Sequence, residues 1–320
     1  MRTSKILQIG LGFLTAGFFL WLISRQTNYH QLVNSLAHVS YIWLVMALIC
    51  YGLEYVLRIS RWKMMLLTQN PILNWRSCST PLLLSYAINA VLPFRAGDAI
   101  RCFSFNARLG VGSGVLLATI FAERILDFLI VLFFFGIALS VFNFKSLPFI
   151  NIGGFSALSI CIPLIAILLF PKLISPLLFI IRQAIAILPS KHRAKFSLAI
   201  ENGIATLEDL SKSRTMASLI VLSLALWALE GCVFLFAAKA SAALVHPEAA
   251  LLALPVGTLA TLIPSTPGYI GTFDYFVSLS LQILGNTNAA SLAYAMIIHA
   301  TLLIPPVLLG AAYLLFGVKR

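Results

Sequence analysis

Three charged residues stand within five positions of an otherwise apolar stretch, ATIFAERILDF. Glu123 and Asp127 are four residues apart and share one face of a helix, and Arg124 precedes Asp127 by three. Each charge at the centre of a membrane-spanning helix costs about 2.5–3.5 kcal/mol on insertion scales. These side chains should therefore face a cavity or charged partners. They either handle a proton or a polar headgroup or pair with Arg95 or Arg101, or they form a structural ion cluster that locks this span to the segment at residues 81–108.

Two other stretches interrupt apolar sequence with Pro and Gly and then carry an acidic residue. They are LPFRAGDAIRCFSFNAR at residues 92–108 and LIPSTPGYIGTFDY at residues 262–275. A bilayer tolerates such breaks only where protein or a water-filled cavity satisfies the backbone, and two of them in corresponding halves indicate a transport site. The predicted helix breaks are Pro93, Pro264 and Pro267.

Each break is followed by a helix whose N-terminus points toward the membrane centre, where unpaired N–H groups favour an anion such as phosphate. An alternative is that Asp98 and Arg101, three residues apart, only neutralise each other. The predicted substrate-binding residues are Arg95, Asp98, Arg101, Gly268, Gly271 and Asp274, together with Glu123, Arg124 and Asp127.

Four more polar residues fall within apolar segments and are candidates for gating or ion coupling: Glu54, Arg58, Glu230 and His299. The alternative for each of them is an interhelical hydrogen bond. Arg61 and Trp62 follow Arg58 closely, and we expect both to snorkel at the cytoplasmic interface.

The composition defines the class of protein. Of the 320 residues, 60% are hydrophobic and 10% are charged, which excludes a soluble globular protein and a disordered one. The formal net charge of +12 fits a positive-inside bias and attraction to anionic lipid rather than nucleic-acid binding. The five cysteines form no C-x-x-C pair, and no metal, cofactor or P-loop motif occurs, so ATP hydrolysis is not expected.

Hydropathy predicts an all-α polytopic membrane protein with about six full spans, at residues 6–24, 41–57, 115–142, 152–170, 218–239 and 289–316. Residues 81–108 and 249–284 are predicted to form two re-entrant helical hairpins, because their apolar arms are too short to cross. Residues 64–80 are interpreted as a connection, with Pro81 as the first residue of a helix. An amphipathic helix is predicted at residues 196–210.

The order span, hairpin, span occurs twice with opposite orientation, which predicts an inverted repeat within a single transmembrane domain. An N-terminal span and interfacial segment (1–40) precede the first repeat (41–143), and a linker span with a cytoplasmic loop (144–217) precedes the second repeat (218–320). If both termini are cytoplasmic, most of the 22 Lys and Arg residues lie inside, with Arg25, Lys145 and Lys239 outside and Arg124 within the membrane.

The blocks NAVLPFRAGDAIR, ATIFAERILDF and IPSTPGYIGTFDYF resemble the lysylphosphatidylglycerol synthase transmembrane region. That region is the flippase half of the multiple peptide resistance factor and also occurs in stand-alone membrane proteins. The resemblance runs from about Tyr41 to the end and implies a prokaryotic inner-membrane protein that moves lipids between leaflets. The family usually has Glu where this chain has Asp98 and Asp274, and Gly where it has Tyr269, so the headgroup is left open.

We therefore expect a multi-pass inner-membrane transporter that flips an anionic phospholipid or a polyprenyl- or isoprenoid-linked lipid. No soluble aminoacyl-transfer domain is recognisable, so enzymatic activity is not expected. The alternative is a membrane enzyme, or an accessory subunit, of lipid-linked glycan or aminoacyl-lipid synthesis. Membrane lipids with an anionic headgroup are the expected partners. A separately encoded lipid synthase or glycosyltransferase and a homo-oligomer are left open.

Overall fold

The computed structural model describes residues 14–25, 28–92, 95–142, 160–168, 190–263 and 265–316, together with 170, 173 and 183. In this part of the chain the regular structure is helical, apart from one isolated antiparallel bridge between Val39 and Ser241. The predicted all-α class is confirmed. In chain order the helices are α1 (Leu14–Arg25), α2 (Tyr29–Ala37), α3 (Tyr41–Leu67), α4 (Trp75–Val91), α5 (Ala96–Ser104), α6 (Asn106–Leu109), α7 (Ser113–Val141), α8 (160–168), α9 (Ser190–Leu210), α10 (Ser213–Ala240), α11 (Ala250–Ala260), α12 (Thr272–Ile283) and α13 (Asn288–Phe316).

Four described helices are long and apolar enough to cross a membrane, and each matches a predicted span. They are Tyr41–Leu67, Ser113–Val141, Arg214–Ala240 and Asn288–Tyr313. At about 1.5 Å per residue such helices exceed the roughly 30 Å hydrocarbon core. The predicted spans at 6–24 and 152–170 fall partly outside the described residues. The described parts of these two spans form α1 and α8.

The first predicted hairpin is a helical hairpin, but its first arm begins earlier than expected. Asn74 caps α4, since its side chain accepts a hydrogen bond from the Ser77 amide. The prediction of a connection at 64–80 and a helix start at Pro81 is therefore wrong: α3 continues to Leu67, and Pro81 is buried inside α4. The return arm ends sooner than predicted, because Phe105 separates α5 from the short α6.

The second predicted hairpin has the expected arms, α11 and α12, with a 3-10 turn at Pro267–Tyr269 between them. The arms approach closely because Gly257 has no side chain: a Cβ there would crowd Phe273 and Val277. The helix breaks predicted at Pro93 and Pro264 lie outside the described residues.

The hairpins exchange partners between the two halves of the chain. The first-hairpin arm α4 packs on α13 of the second half, and the second-hairpin arm α11 packs on α7 of the first half. Helices α3 and α10 pack side by side and run antiparallel, since the Ser40 amide donates to Ala240 O while Arg61 reaches Ser223 further along. This reciprocal packing is the arrangement expected of an inverted repeat, which stays a prediction.

Helix α9 confirms the helix predicted at 196–210, although it begins at Ser190. It packs on α7, where Gly114 makes room for the Ala199 backbone. Helix α1 packs on the second hairpin through ring contacts of Phe19 with Tyr275 and Phe276.

The close contact of α4 and α5 yields a stability prediction. A Cβ at Gly97 would overlap the Ser85 carbonyl, whereas a Cβ at Gly136 meets nothing within 4 Å. We expect Gly97→Ala to destabilise the protein by about 1–3 kcal/mol through overpacking. Thermal unfolding of the detergent-solubilised protein measures this, with Gly136→Ala as the matched control, and equal melting temperatures for the two variants would contradict the packing.

Candidate functional site

A polar cavity of about 230 Å³ lies where the two hairpins meet α3, α10 and α13. A second volume of about 330 Å³ lies between the hairpin tips. The two share part of their lining, namely Asn89, Arg95, Thr261, Gly268 and Tyr269. Because of this shared wall we treat them as one site and call it the tip cavity.

Both hairpin tips hold a non-glycine residue in a left-handed backbone conformation. Arg95 has φ 51° and Tyr269 has φ 60°, and in the described residues no other non-glycine residue has a positive φ. A bulky side chain rarely adopts this conformation, and it costs of order 1–3 kcal/mol. Gly268 beside Tyr269 is also left-handed and lies against the Ala90 carbonyl of the first hairpin. Backbone strain of this kind clusters at ligand sites and moving segments.

Arg95 is the basic group of the tip cavity that has no acidic partner in the part of the chain that the structure describes. The other two arginines of the lining are ion-paired, Arg58 with Glu54 and Glu230 and Arg124 with Asp98 at 2.6 Å. A guanidinium without a carboxylate partner is able to bind a phosphate through two parallel hydrogen bonds.

The helix N-termini at the two tips are less available than the sequence suggested. The Gly97 amide of α5 donates to Asn89 Oδ1 at 2.8 Å, and the Gly271 amide at α12 donates to Asp274 Oδ2 at 2.9 Å. These two amides are already satisfied by the protein's own side chains. An anion in the cavity would therefore depend on Arg95 more than on these backbone groups.

His299 of α13 fastens the second tip. Its Nδ1 lies 2.7 Å from Asp274 Oδ1 and its Nε2 lies 2.8 Å from the Gly268 carbonyl oxygen. A carbonyl oxygen only accepts, so Nε2 carries a proton and donates to it, while the second hydrogen bond joins Nδ1 to the Asp274 carboxyl group. One imidazole ring thus fixes the return arm and the tip against α13.

Glu54, Arg58 and Glu230 form the wall opposite the tips. Arg58 donates through Nε to Glu54, through Nη2 to Glu230 at 2.9 Å and through Nη1 to the Tyr86 hydroxyl at 3.0 Å. All three charged residues line the tip cavity. The arrangement joins α3, α4 and α10 around one guanidinium.

A second cluster of charges lies behind the cavity. Arg61 of α3 donates to Asp127 of α7 at 2.7 Å, and Arg101 of α5 donates to Glu123 of α7 at 2.6 Å. Arg61 and Arg101 are fully buried. The cluster corresponds to the structural alternative for the ATIFAERILDF block, since Glu123 and Asp127 face partners rather than lipid.

The expectation that Arg61 and Trp62 snorkel at the interface is wrong, because both are fully buried. The Trp62 indole N–H donates to Thr119 Oγ1 at 3.2 Å, and Arg101 lies over the Trp62 ring. The span was predicted to end at residue 57, which placed these side chains outside. Helix α3 continues for another ten residues and carries them into the core.

The structure brings eight of the predicted residues to the tip cavity: Glu54, Arg58, Arg95, Arg124, Glu230, Pro267, Gly268 and His299. The other predicted residues that the structure describes lie outside the cavity lining: Asp98, Arg101, Glu123, Asp127, Gly271 and Asp274. Pro267 begins the turn of the second tip. In the described residues no group of three or more His, Cys, Asp or Glu could hold a metal ion.

Sequence reasoning missed the aromatic wall of the site. Tyr51, Tyr55 and Tyr86 line it, and the Tyr51 hydroxyl donates to the Leu302 carbonyl at 2.8 Å. A signal for this contact existed: Pro306 lacks an N–H, so the carbonyl four residues earlier needs another donor.

The comparison with protein families identifies the family of the chain. The model of the family described as the lysylphosphatidylglycerol synthase TM region matches residues 7–310. The chain belongs to the lysylphosphatidylglycerol synthase transmembrane-region family. No curated protein matches the chain. This family is a membrane domain associated with flippase-like handling of lipids, and the match covers every residue of the tip cavity.

The buried cluster of this family member yields a second prediction. Arg101→Met leaves the buried Glu123 with Arg61 alone, 3.9 Å away, and breaking such a buried pair costs about 3–5 kcal/mol. Lys212→Met removes an ion pair of similar length, Lys212–Asp209 at 2.7 Å, in which the Lys212 side chain is 72% exposed. Loss of this exposed pair should cost at most about 1 kcal/mol.

Thermal unfolding in detergent measures both losses, and the double variant Arg101→Met/Glu123→Leu should recover part of the stability because no charge stays unpaired. If the two single variants unfold at the same temperature, the buried pair does not stabilise the fold as described.

Proposed function

We propose that this protein transports an anionic lipid between the leaflets of the inner membrane, as a multi-pass protein with both termini in the cytoplasm. The observation that carries the proposal is Arg95: it has no acidic partner in the described structure, it has a strained backbone, and it stands between two hairpin tips in a polar cavity. A phospholipid phosphate or a polyprenyl phosphate is the anion that this chemistry fits.

An apolar groove beside the cavity supports a lipid rather than a free anion. The groove has a volume of about 600 Å³ and shares Tyr51 and Tyr55 with the polar cavity. Its walls come from α3, α4 and α13 and are mainly Leu, Ile and Val side chains. A lipid would place its headgroup by Arg95 and an acyl or prenyl chain in this groove, as amphipathic ligands require.

The lengths of the hairpin arms support a site near the middle of the bilayer. Helix α11 has 11 residues and α4 has 17, so at about 1.5 Å per residue both are shorter than the roughly 30 Å hydrocarbon core. We propose that both hairpins are re-entrant and enter from opposite faces. The irregular tips are then tolerated because they line a cavity.

The proposed movement is a rocking of one half of the chain against the other around the tip cavity. The exchange of partners, α4 on α13 and α11 on α7, couples each hairpin to the last span of the opposite half. Closing one face would then open the other, which is alternating access. We propose that the chain performs this transport without catalysing a reaction, and a separately encoded lipid synthase as its partner stays a prediction.

The role proposed for Arg95 is tested by leaflet exchange. We expect Arg95→Ala, in liposomes with fluorescent phosphatidylglycerol, to slow exchange about tenfold to hundredfold, because a hydrogen bond to a charged group contributes about 1.5–3 kcal/mol. Arg76→Ala is the matched control, since Arg76 is exposed and outside the cavity. Wild-type protein that exchanges neither phosphatidylglycerol nor a polyprenyl phosphate lipid would contradict the proposed function.

A further inference from the structure

Two buried acids share one guanidinium in the wall of the tip cavity. Glu54 and Glu230 both contact Arg58, and both are buried. In the described structure Arg58 is the one base within ion-pair distance of either carboxyl group. Two carboxylates beside one guanidinium leave one negative charge uncompensated unless one of them carries a proton.

The charge balance of the buried network points the same way. Its acids are Glu54, Asp98, Glu123, Asp127 and Glu230, and its bases are Arg58, Arg61, Arg101 and Arg124. Among these ion-paired groups of the described structure the acids exceed the bases by one. An uncompensated charge is costly inside a membrane. One proton on the Glu54–Glu230 pair removes the excess.

An unpaired atom marks where further chemistry is possible. Glu54 is fully buried, and its Oε2 has no hydrogen-bond partner in the described structure. Arg58 uses three of the five N–H groups of a guanidinium, on Glu54, Tyr86 and Glu230. The remaining N–H groups belong to a side chain that lines the cavity. Arg58 is therefore able to donate a hydrogen bond to a ligand in the cavity. The ligand would then share the positive charge of Arg58 with Glu54 and Glu230.

We propose that the Glu54–Glu230 pair is a proton-binding site whose occupancy is linked to the lipid headgroup. An anionic headgroup near Arg58 competes with the two carboxylates for the same positive charge. The carboxylate that loses this compensation takes a proton from water and becomes a neutral carboxylic acid. Headgroup and proton then enter the cavity together, which makes transport a symport of the anion and a proton. This inference rests on the proposed function and adds its coupling ion.

Other titratable groups surround the pair, and they come from several packing elements. They are Tyr51 and Tyr55 of α3, Tyr86 of α4, Arg95 at the first tip, Arg124 and Asp127 of α7, and His299 of α13. Asp127 is held by Arg61 and Trp227, and His299 is held by Asp274. The Glu54–Glu230 pair differs because Arg58 is the one base that pairs with either acid in the described structure, whereas Glu123 pairs with both Arg61 and Arg101.

Calorimetry of lipid binding tests the linkage. The purified full-length protein in detergent is titrated with dihexanoyl phosphatidylglycerol at one pH in two buffers of different ionisation enthalpy. The difference between the binding enthalpies gives the number of protons exchanged. We expect the wild-type protein to take up about one proton per lipid bound. The double variant Glu54→Gln/Glu230→Gln cannot ionise at either position and should bind the lipid with little or no proton uptake.

Glu248→Gln is the matched control, because Glu248 is exposed, pairs with His246 and lies outside the cavity. It should take up protons as the wild type does. A second measurement needs no variant: the Kd of the wild-type protein should rise about tenfold per pH unit in the range where one proton is linked to binding.

The outcomes separate the two proposals. Lipid binding with the same enthalpy in both buffers and a pH-independent Kd would overturn the proton linkage and leave the proposed function standing. Proton uptake that persists in Glu54→Gln/Glu230→Gln would also overturn it, since the site would lie elsewhere. Absence of binding heat for phosphatidylglycerol, with no leaflet exchange in liposomes, would overturn the proposed function and this inference together.

Discussion

The cost of a charge in hydrocarbon is the constraint on which the rest of this structure depends. The chain places arginines and acids inside its helices and then pairs them across helices: α3 with α7 through Arg61 and Asp127, α5 with α7 through Arg101 and Glu123. Separating these helices would leave buried charges unpaired. The first hairpin is therefore held against α3 and α7 by electrostatics as well as by packing, and its tip has a defined position.

The two hairpin tips differ from the helices around them in backbone conformation. Arg95 and Tyr269 have left-handed backbones, and Gly268 lies against the Ala90 carbonyl across the cavity. Such conformations persist only where the surroundings hold them. Asn89 and Asp98 hold the first tip, and the hydrogen bond between His299 and Asp274 holds the second. The proposed alternating access would require these few polar contacts to be released.

The sequence predicted the elements better than the contacts between them. The spacing of Glu123 and Asp127 predicted that they face partners, because charge and helical periodicity are local properties. It proposed Arg95 or Arg101 as a partner, and Arg101 does pair with Glu123. It did not identify the pairs Arg61–Asp127 and Arg58–Glu230, whose members are 66 and 172 positions apart. Such pairs depend on how helices pack, which no short stretch of sequence encodes.

The errors have local causes. The polar residues before Pro81 suggested a loop, but they belong to α4, a helix that Asn74 caps and that continues past Pro81. Arg61 was interpreted as an interfacial residue because the basic end of a span usually lies at the membrane surface. In the structure α3 continues to Leu67, and Arg61 is buried within it. The tyrosines of the cavity carry no charge and were not recognised. Pro306 has no N–H to bond the Leu302 carbonyl, which therefore accepts from Tyr51, and this proline was visible in the sequence.

The most direct test of the account is a cross-link between the two tips in the membrane. Leu92 and Thr266 come from opposite hairpins and line the same cavity. In a variant whose five native cysteines are replaced, Leu92→Cys/Thr266→Cys should be joined by a short bifunctional thiol reagent and should then stop exchanging lipid. The exposed Ile72→Cys paired with Thr266→Cys should not be joined. If Leu92→Cys and Thr266→Cys instead react freely from opposite aqueous sides and form no cross-link, the tips do not meet and the account is contradicted.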